Sequence, residues 1–134
     1  MRLLIDANIF LEVILEQEKA GEARELLKAP DDHELFVSDY AVHSIGLLLF
    51  RRKQHDIFRE FVKDMIFDTG IEMMSLFAED MDAVINRAQR FRLDFDDAYQ
   101  YVTSERYNLT IISFDNDFDR TERGRKTPAE VLYR

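Results

Sequence analysis

Short apolar runs alternate along the chain with longer stretches in which apolar residues recur every three or four positions. Residues 2–5 form the first run, closed at once by Asp6. Ile9, Phe10, Val13 and Ile14 then recur at helical spacing, as do Ala20, Ala23, Leu26 and Leu27 in a second helix that Pro30-Asp31-Asp32 should end. Residues 35–37 read as the next strand, and Ser38 or Asp39 can cap a helix running to about Lys53. Its stretch Leu47-Leu48-Leu49-Phe50 is apolar all round, as in helices that are deeply buried or touch a partner, so a subunit interface is expected there. The following helix, from about residue 55 to 67, places Ile57, Phe58, Phe61, Val62, Met65 and Ile66 on one stripe before Thr69-Gly70 stops it. Residues 71–76 alternate as a strand does, and residues 77–91 predict a helix with Met81, Val84, Ile85 and Ala88 inward. Leu93-Asp94-Phe95-Asp96-Asp97 opens a helix to about Tyr107, and residues 109–113 form an apolar strand that runs into an acid-rich loop. Thr127-Pro128-Ala129-Glu130 has capping-box spacing with Pro at the first helical position, so a short helix should begin there.

Strands alternating with helices imply an α/β fold with a parallel sheet covered on both faces. No repeat, low-complexity tract or linker divides the chain, and 134 residues suit one domain spanning residues 1–134. In such folds function gathers at the carboxyl ends of the strands, near a switch in strand order. That rule decides which acids matter.

Composition narrows the chemistry. With 46% hydrophobic residues, 11 Phe and 5 Tyr the chain can bury a core, and only 4 Gly and 2 Pro argue against a fibrous or disordered chain. The absence of Cys excludes disulfides, thiolate metal sites and cysteine nucleophiles, so any metal must be held by oxygen or histidine. The first apolar run is stopped by Asp6, with Glu12 and Glu16 following, which is unlike a secretory signal. No stretch approaches the roughly 18–20 apolar residues that span a bilayer, so no membrane association and a cytoplasmic location are expected. The net charge of −9 runs against nucleic-acid binding, but acids clustered around a bound cation invert the local sign. Basic residues are grouped as Arg51-Arg52-Lys53, as Arg87, Arg90 and Arg92, and as Arg120, Arg123, Arg125 and Lys126. They can complement helix ends or face phosphate.

Three separated segments deliver carboxylates to one rim. Asp6 follows the first strand, Asp115 and Asp117 follow the last, and Asp97 opens the helix before it. Crowded carboxylates raise one another's pKa, and a hard divalent cation relieves the repulsion. Bound Mg²⁺ or Mn²⁺ can activate a water, orient a phosphate and stabilise a leaving oxygen. Each acid also has a local explanation. Asp97 can complement a helix N-terminus beside Asp94 and Asp96, and Asp117 and Asp119 can form Asx-turns. Asp6 is hardest to explain locally, because a carboxylate ending a buried strand is desolvated unless paired.

Rival motifs fail on specific positions. Asp115, Asp117 and Asp119 imitate the start of a calcium loop, but Arg120 stands at the glycine position and Lys126 at the closing glutamate. A phosphatase with an aspartate nucleophile usually carries a second Asp where this chain has Asn8. There is no glycine-rich phosphate loop, serine elbow or dinucleotide fingerprint. His33, His43 and His55 are scattered and form no ligand pair at helical spacing.

Three stretches together resemble the PIN-domain family, which includes the VapC toxins of bacterial and archaeal toxin–antitoxin pairs. Leu4-Ile5-Asp6-Ala7-Asn8-Ile9-Phe10 is similar to the opening motif, Asp97-Ala98 with Tyr101 inward to the third acidic motif, and Ile112-Ser113-Phe114-Asp115-Asn116-Asp117-Phe118 to the fourth. The resemblance implies a sheet of four or five parallel strands and Mg²⁺- or Mn²⁺-dependent cleavage of RNA. It assigns Asp6, Asp97 and Asp115 as catalytic residues, with Asp117 joining them around the metal and Asn8 and Ser113 beside the substrate. The resemblance implies RNA and an antitoxin protein as partners, and the apolar Leu47–Phe50 ridge separately suggests a homodimer.

One position departs from the pattern. The family's second acid, usually Glu, falls at Ser44, and the nearest carboxylate, Asp39, is one turn too early. A hydroxyl ligates Mg²⁺ more weakly and leaves the site one negative charge short. The resemblance therefore leaves two readings open: a nuclease whose remaining aspartates hold the metal, or a silent PIN-like domain that binds protein or RNA.

Overall fold

A computed structural model describes residues 1–28 and 32–133. Its centre is a four-stranded, wholly parallel sheet of β1 (Arg2–Ile5), β2 (Glu34–Ser38), β3 (Glu72–Met74) and β4 (Thr110–Ile112), in the order β3-β2-β1-β4. Beyond β4 a parallel bridge from Ile112 to Lys126 continues the sheet for one residue. The chain steps outward from β1 to β3 on one side and then returns to the other side of β1. The crevice at the strands' carboxyl ends, between β1 and β4, is where such folds leave room for a ligand.

Period-two alternation sorts the core. Leu3, Ile5, Leu35, Val37 and Ile112 face one layer, while Leu4, Phe36 and Ile111 face the other. The first layer is closed by α1 (Ala7–Ile14), α2 (Ala20–Leu27), α3 (Asp39–Arg51), α4 (His55–Phe61) and the short α7 (Pro128–Leu132). The second is closed by α5 (Met81–Phe91) and α6 (Phe95–Tyr107). Both faces of every central strand are therefore dry, which accounts for their continuous apolar runs.

Local chemistry sets the element ends. Ser38 caps α3 by accepting from the Ala41 N–H at 3.0 Å, and Thr127 and Glu130 form the reciprocal box that opens α7. Asn108 ends α6 in the left-handed region at φ 54°. The expected terminator of α2 falls partly on Pro30 and Asp31, which lie outside the described residues.

Two expectations change. The helix from residue 55 is α-helical only to Phe61 and continues as a π-helical segment, Val62–Asp68, which keeps the stripe of Ile57, Phe58, Phe61, Val62, Met65 and Ile66 against the core. Residues 78–80 form a 3₁₀ turn before α5, and Ile85 is exposed rather than inward. At 100° per residue, Val84, Ala88 and Phe91 share the face that meets α6, and Ile85 rotates past its edge. The 47–50 stretch is only half buried. Leu49 is fully enclosed, whereas Leu47 and Phe50 are 46% and 54% exposed. Gly46 beside them lets the Phe58 ring approach closely, since a Cβ there would lie 3.2 Å from it.

Leu49→Ala should therefore destabilise the fold by about 2–5 kcal/mol, and Leu47→Ala by no more than about 0.5 kcal/mol, in urea unfolding. Equal losses at the two positions would contradict this packing.

Candidate metal centre

The site begins where β1 ends. Asp6 is both the residue after the strand and the N-cap of α1, and its Oδ1 accepts the Ala7 N–H at 2.8 Å. Its Oδ2 accepts from the Ser113 hydroxyl at 2.7 Å and, more weakly, from the Asn8 amide at 3.4 Å. Ser113, just past β4, also accepts from Asn8 Nδ2 at 3.1 Å and from the Asp115 N–H at 2.9 Å. Asn8 Oδ1 takes the Phe114 N–H at 3.2 Å. One serine and one asparagine thus weld the ends of β1 and β4 together and aim Asp115 back toward Asp6.

The remaining acids are placed by turns. Asp115 Oδ1 accepts the Asp117 N–H at 2.9 Å in an Asx-turn that opens the 3₁₀ segment Asn116–Arg120. Arg120 binds Asp117 at 3.0 Å and also donates to the carbonyls of Phe91 and Arg92, tying this turn to the end of α5. Asp94, not Asp97, caps α6 by accepting the Asp97 N–H at 3.0 Å. The local explanation for an acid at the helix start is thereby met by Asp94, which leaves the Asp97 side chain free to face Asp115.

Asp97, Asp115 and Asp117 each bring a carboxylate oxygen within 4.8 Å of the other two. Asp6 lines the same cavity of about 320 Å³ but has most of its acceptor capacity turned to Ala7, Ser113 and Asn8. Ser44 lines the cavity from α3, at the place where the resemblance expects an acid. Asp39 is held by the Tyr99 hydroxyl at 2.8 Å, and Asp96 by the Tyr40 hydroxyl at 2.6 Å.

Electrostatics record the crowding. Burial pushes the Asp6 carboxyl up to about 6, against the opposing hydrogen bonds from Ser113 and Ala7 and with help from the charges of Asp115 and Asp96. Asp97 is pushed up to about 8, by burial first and then by the charges of Asp115, Asp94 and Asp6. Arg120 offsets part of the charge at Asp117, but the other basic groups bond elsewhere. Arg125 pairs with Asp119 and donates to the Ser113 carbonyl, Arg123 donates to the Leu109 carbonyl, and Arg87 pairs with Glu105. These cations brace the fold. Arg51, Arg52 and Lys53 are exposed at the end of α3, as solvated helix-end residues would be.

Comparison with known proteins settles the family. Residues 3–124 match the sequence model of the PIN domain. The chain belongs to the PIN-domain family. No functionally curated protein matches it. Among solved structures, a toxin–antitoxin complex from Klebsiella pneumoniae is 20% identical, with 94% of this chain and 97% of that chain covered and a TM-score of 0.70. VapC20 from Mycobacterium tuberculosis, described as a Sarcin-Ricin loop cleaving toxin, is 16% identical over 87% of this chain and 92% of that one, with a TM-score of 0.72. VapBC-1 from nontypeable Haemophilus influenzae is 13% identical over 96% and 99%, also at 0.72. At these identities the likeness is one of fold.

Other residues of this PIN domain's cavity leave no mark in the sequence. Tyr40 and Gln100 carry no spacing signal of their own, and only their contacts single them out.

The raised pKa values have a consequence for the metal-free protein. A carboxyl with a higher pKa in the folded chain binds protons on folding, so its stabilising contribution is complete below its ordinary value of 3.8. That contribution disappears as pH climbs through about 6 for Asp6 and about 8 for Asp97. The melting temperature of metal-free protein should fall across that window, and Asp97→Asn should flatten the upper part. A wild-type profile flat from pH 4 to 8 would contradict the crowding.

Proposed function

We propose that this PIN domain is a Mg²⁺- or Mn²⁺-dependent endoribonuclease, the toxin of a toxin–antitoxin pair. The observation that carries the reading is the convergence of Asp97, Asp115 and Asp117 oxygens within 4.8 Å of one another, beside Asp6. In octahedral coordination at about 2.1 Å, ligand oxygens lie about 3–4 Å apart, so small side-chain rotations would bring this set onto one ion. The all-oxygen donor set suits a hard cation and excludes a soft one. The similar structures described as a toxin–antitoxin complex and as a Sarcin-Ricin loop cleaving toxin support the biological setting.

Asp97, Asp115 and Asp117 would hold the cation, with Asp6 completing the negative wall. Ser113 and Asn8 fix the orientation of Asp6 at the edge where a phosphodiester would enter, so they act beside the substrate through that carboxylate. When bound, the cation would neutralise phosphate charge and lower the pKa of an attacking water. Hydrolysis adds the water oxygen to phosphorus, breaks one P–O ester bond and leaves the proton with the departing oxygen.

Two apolar surfaces fit the proposed partners. A cleft of about 330 Å³ between α1 and α4, walled by Phe10, Val13, Ile14 and Met65 with Glu60 and Asp64 at its edge, suits an antitoxin segment carrying apolar and basic side chains. Exposed Leu47 and Phe50 on α3, beside a shallow groove lined by Val42 and Phe58, suit a second copy of the chain.

Ser44 favours a second reading, a silent PIN domain that binds RNA or protein without turnover. Purified protein incubated with single-stranded RNA separates the two. The nuclease reading expects cleavage that needs Mn²⁺ or Mg²⁺, stops with chelator and falls at least about a hundredfold in Asp6→Asn. Chelator-insensitive cleavage, or none at any metal concentration, would overturn it. Sedimentation at high concentration should show a dimer that Phe50→Asp converts to monomer.

A further inference from the structure

The acid-lined cavity has one neutral wall with an unusual occupant. Gln100 lies on α6 one turn after Asp97, is only 4% exposed, and faces the same cavity as Asp97 and Ser44. Its amide is oriented by its neighbour. The Ser38 hydroxyl accepts the Ala41 N–H at 3.0 Å and donates its single proton to Gln100 Oε1 at 2.7 Å. The oxygen is therefore held toward the start of α3, and Nε2 is left with no hydrogen-bond partner among the described residues. A buried amide nitrogen without a partner is destabilising, and it persists where a ligand supplies what the fold withholds.

The chemistry of the missing partner follows from its surroundings. An N–H seeks a lone pair, and a cation in the cavity would repel it. The nearby carboxylates would turn their oxygens toward that cation. The lone pair must then come from outside, on an anionic group able to share the cavity with a cation. We propose that Gln100 is a substrate-binding residue of this site, donating from Nε2 to a non-bridging phosphate oxygen of the bound RNA. This rests on the metal-dependent reading above. It gives the site, in place of a carboxylate at position 44, a neutral side that accepts phosphate without repelling it.

Two variants test it through binding as well as turnover. Gln100→Glu keeps the acceptor for Ser38 and replaces the amide donor with a carboxylate oxygen; Gln100→Met removes hydrogen bonding altogether. Mn²⁺ affinity is measured by calorimetry with the metal alone, and affinity for a single-stranded RNA oligomer by anisotropy in Ca²⁺. The Glu variant should bind Mn²⁺ more tightly yet RNA about tenfold more weakly, the size expected for one charge-assisted hydrogen bond. The Met variant should keep its Mn²⁺ affinity within about twofold and lose about tenfold in RNA affinity, raising KM more than it lowers kcat. If the Met variant does not fold, the isosteric Glu variant carries the test. RNA affinity unchanged in the folded variants overturns the proposal, as does a joint loss of Mn²⁺ and RNA affinity in Gln100→Met, which would make the amide oxygen a cation ligand. Wild-type protein that binds no Mn²⁺ would instead overturn the underlying metal reading, so the two failures are distinguishable.

Discussion

Two strands that are neighbours in space but more than a hundred residues apart in sequence end side by side, and each is followed within three residues by an aspartate. Holding those like charges together is the constraint on which the site depends. The parallel pairing of β1 with β4 sets Ile5 opposite Ile112, and the residues that follow emerge at one edge. Ser113 then donates to Asp6 while accepting from the Asp115 backbone, so a single hydroxyl fixes the distance between the two acids. Without that link the desolvated Asp6 carboxylate would have reason to turn outward or take up a proton.

The arrangement is unfavourable for the isolated fold. Acids whose pKa values are raised by burial and by one another work against stability at neutral pH, and a buried amide nitrogen without a partner adds to the cost. Natural folds break the rules of polar satisfaction mainly where function requires it. The compensation lies elsewhere in the chain: two dry layers over the sheet, and a C-terminal segment whose arginines are bonded to carbonyls and acids rather than left open. An acidic protein can thus carry many arginines and still present no strongly basic face around its cavity.

Much of this was legible from residue order. Strands β1, β2 and β4 announced themselves as apolar runs because both faces are buried, and the acids stood out because they follow β1 and β4 within three residues. Ser38 and Thr127 were readable as caps because capping is local. The failures came where the answer depends on another part of the chain. Ile85 has the right spacing to be buried, but α6 covers only the face of Val84, Ala88 and Phe91. The π-helical turn after Phe61 preserves the expected stripe while changing its backbone, so no periodicity could betray it. Gln100 could not be separated from its buried neighbours until the direction of the Ser38 hydroxyl was known.

The function of this rim depends on whether these carboxylates share a cation. Calorimetric titration of metal-free protein with Mn²⁺ near pH 7, repeated in two buffers of different ionisation enthalpy, reads both binding and proton release. The crowded acids predict one site per chain, with protons displaced as the cation replaces them on Asp97, and loss of that site in Asp115→Asn. Binding without proton release, or binding unchanged in Asp115→Asn, would contradict the shared site.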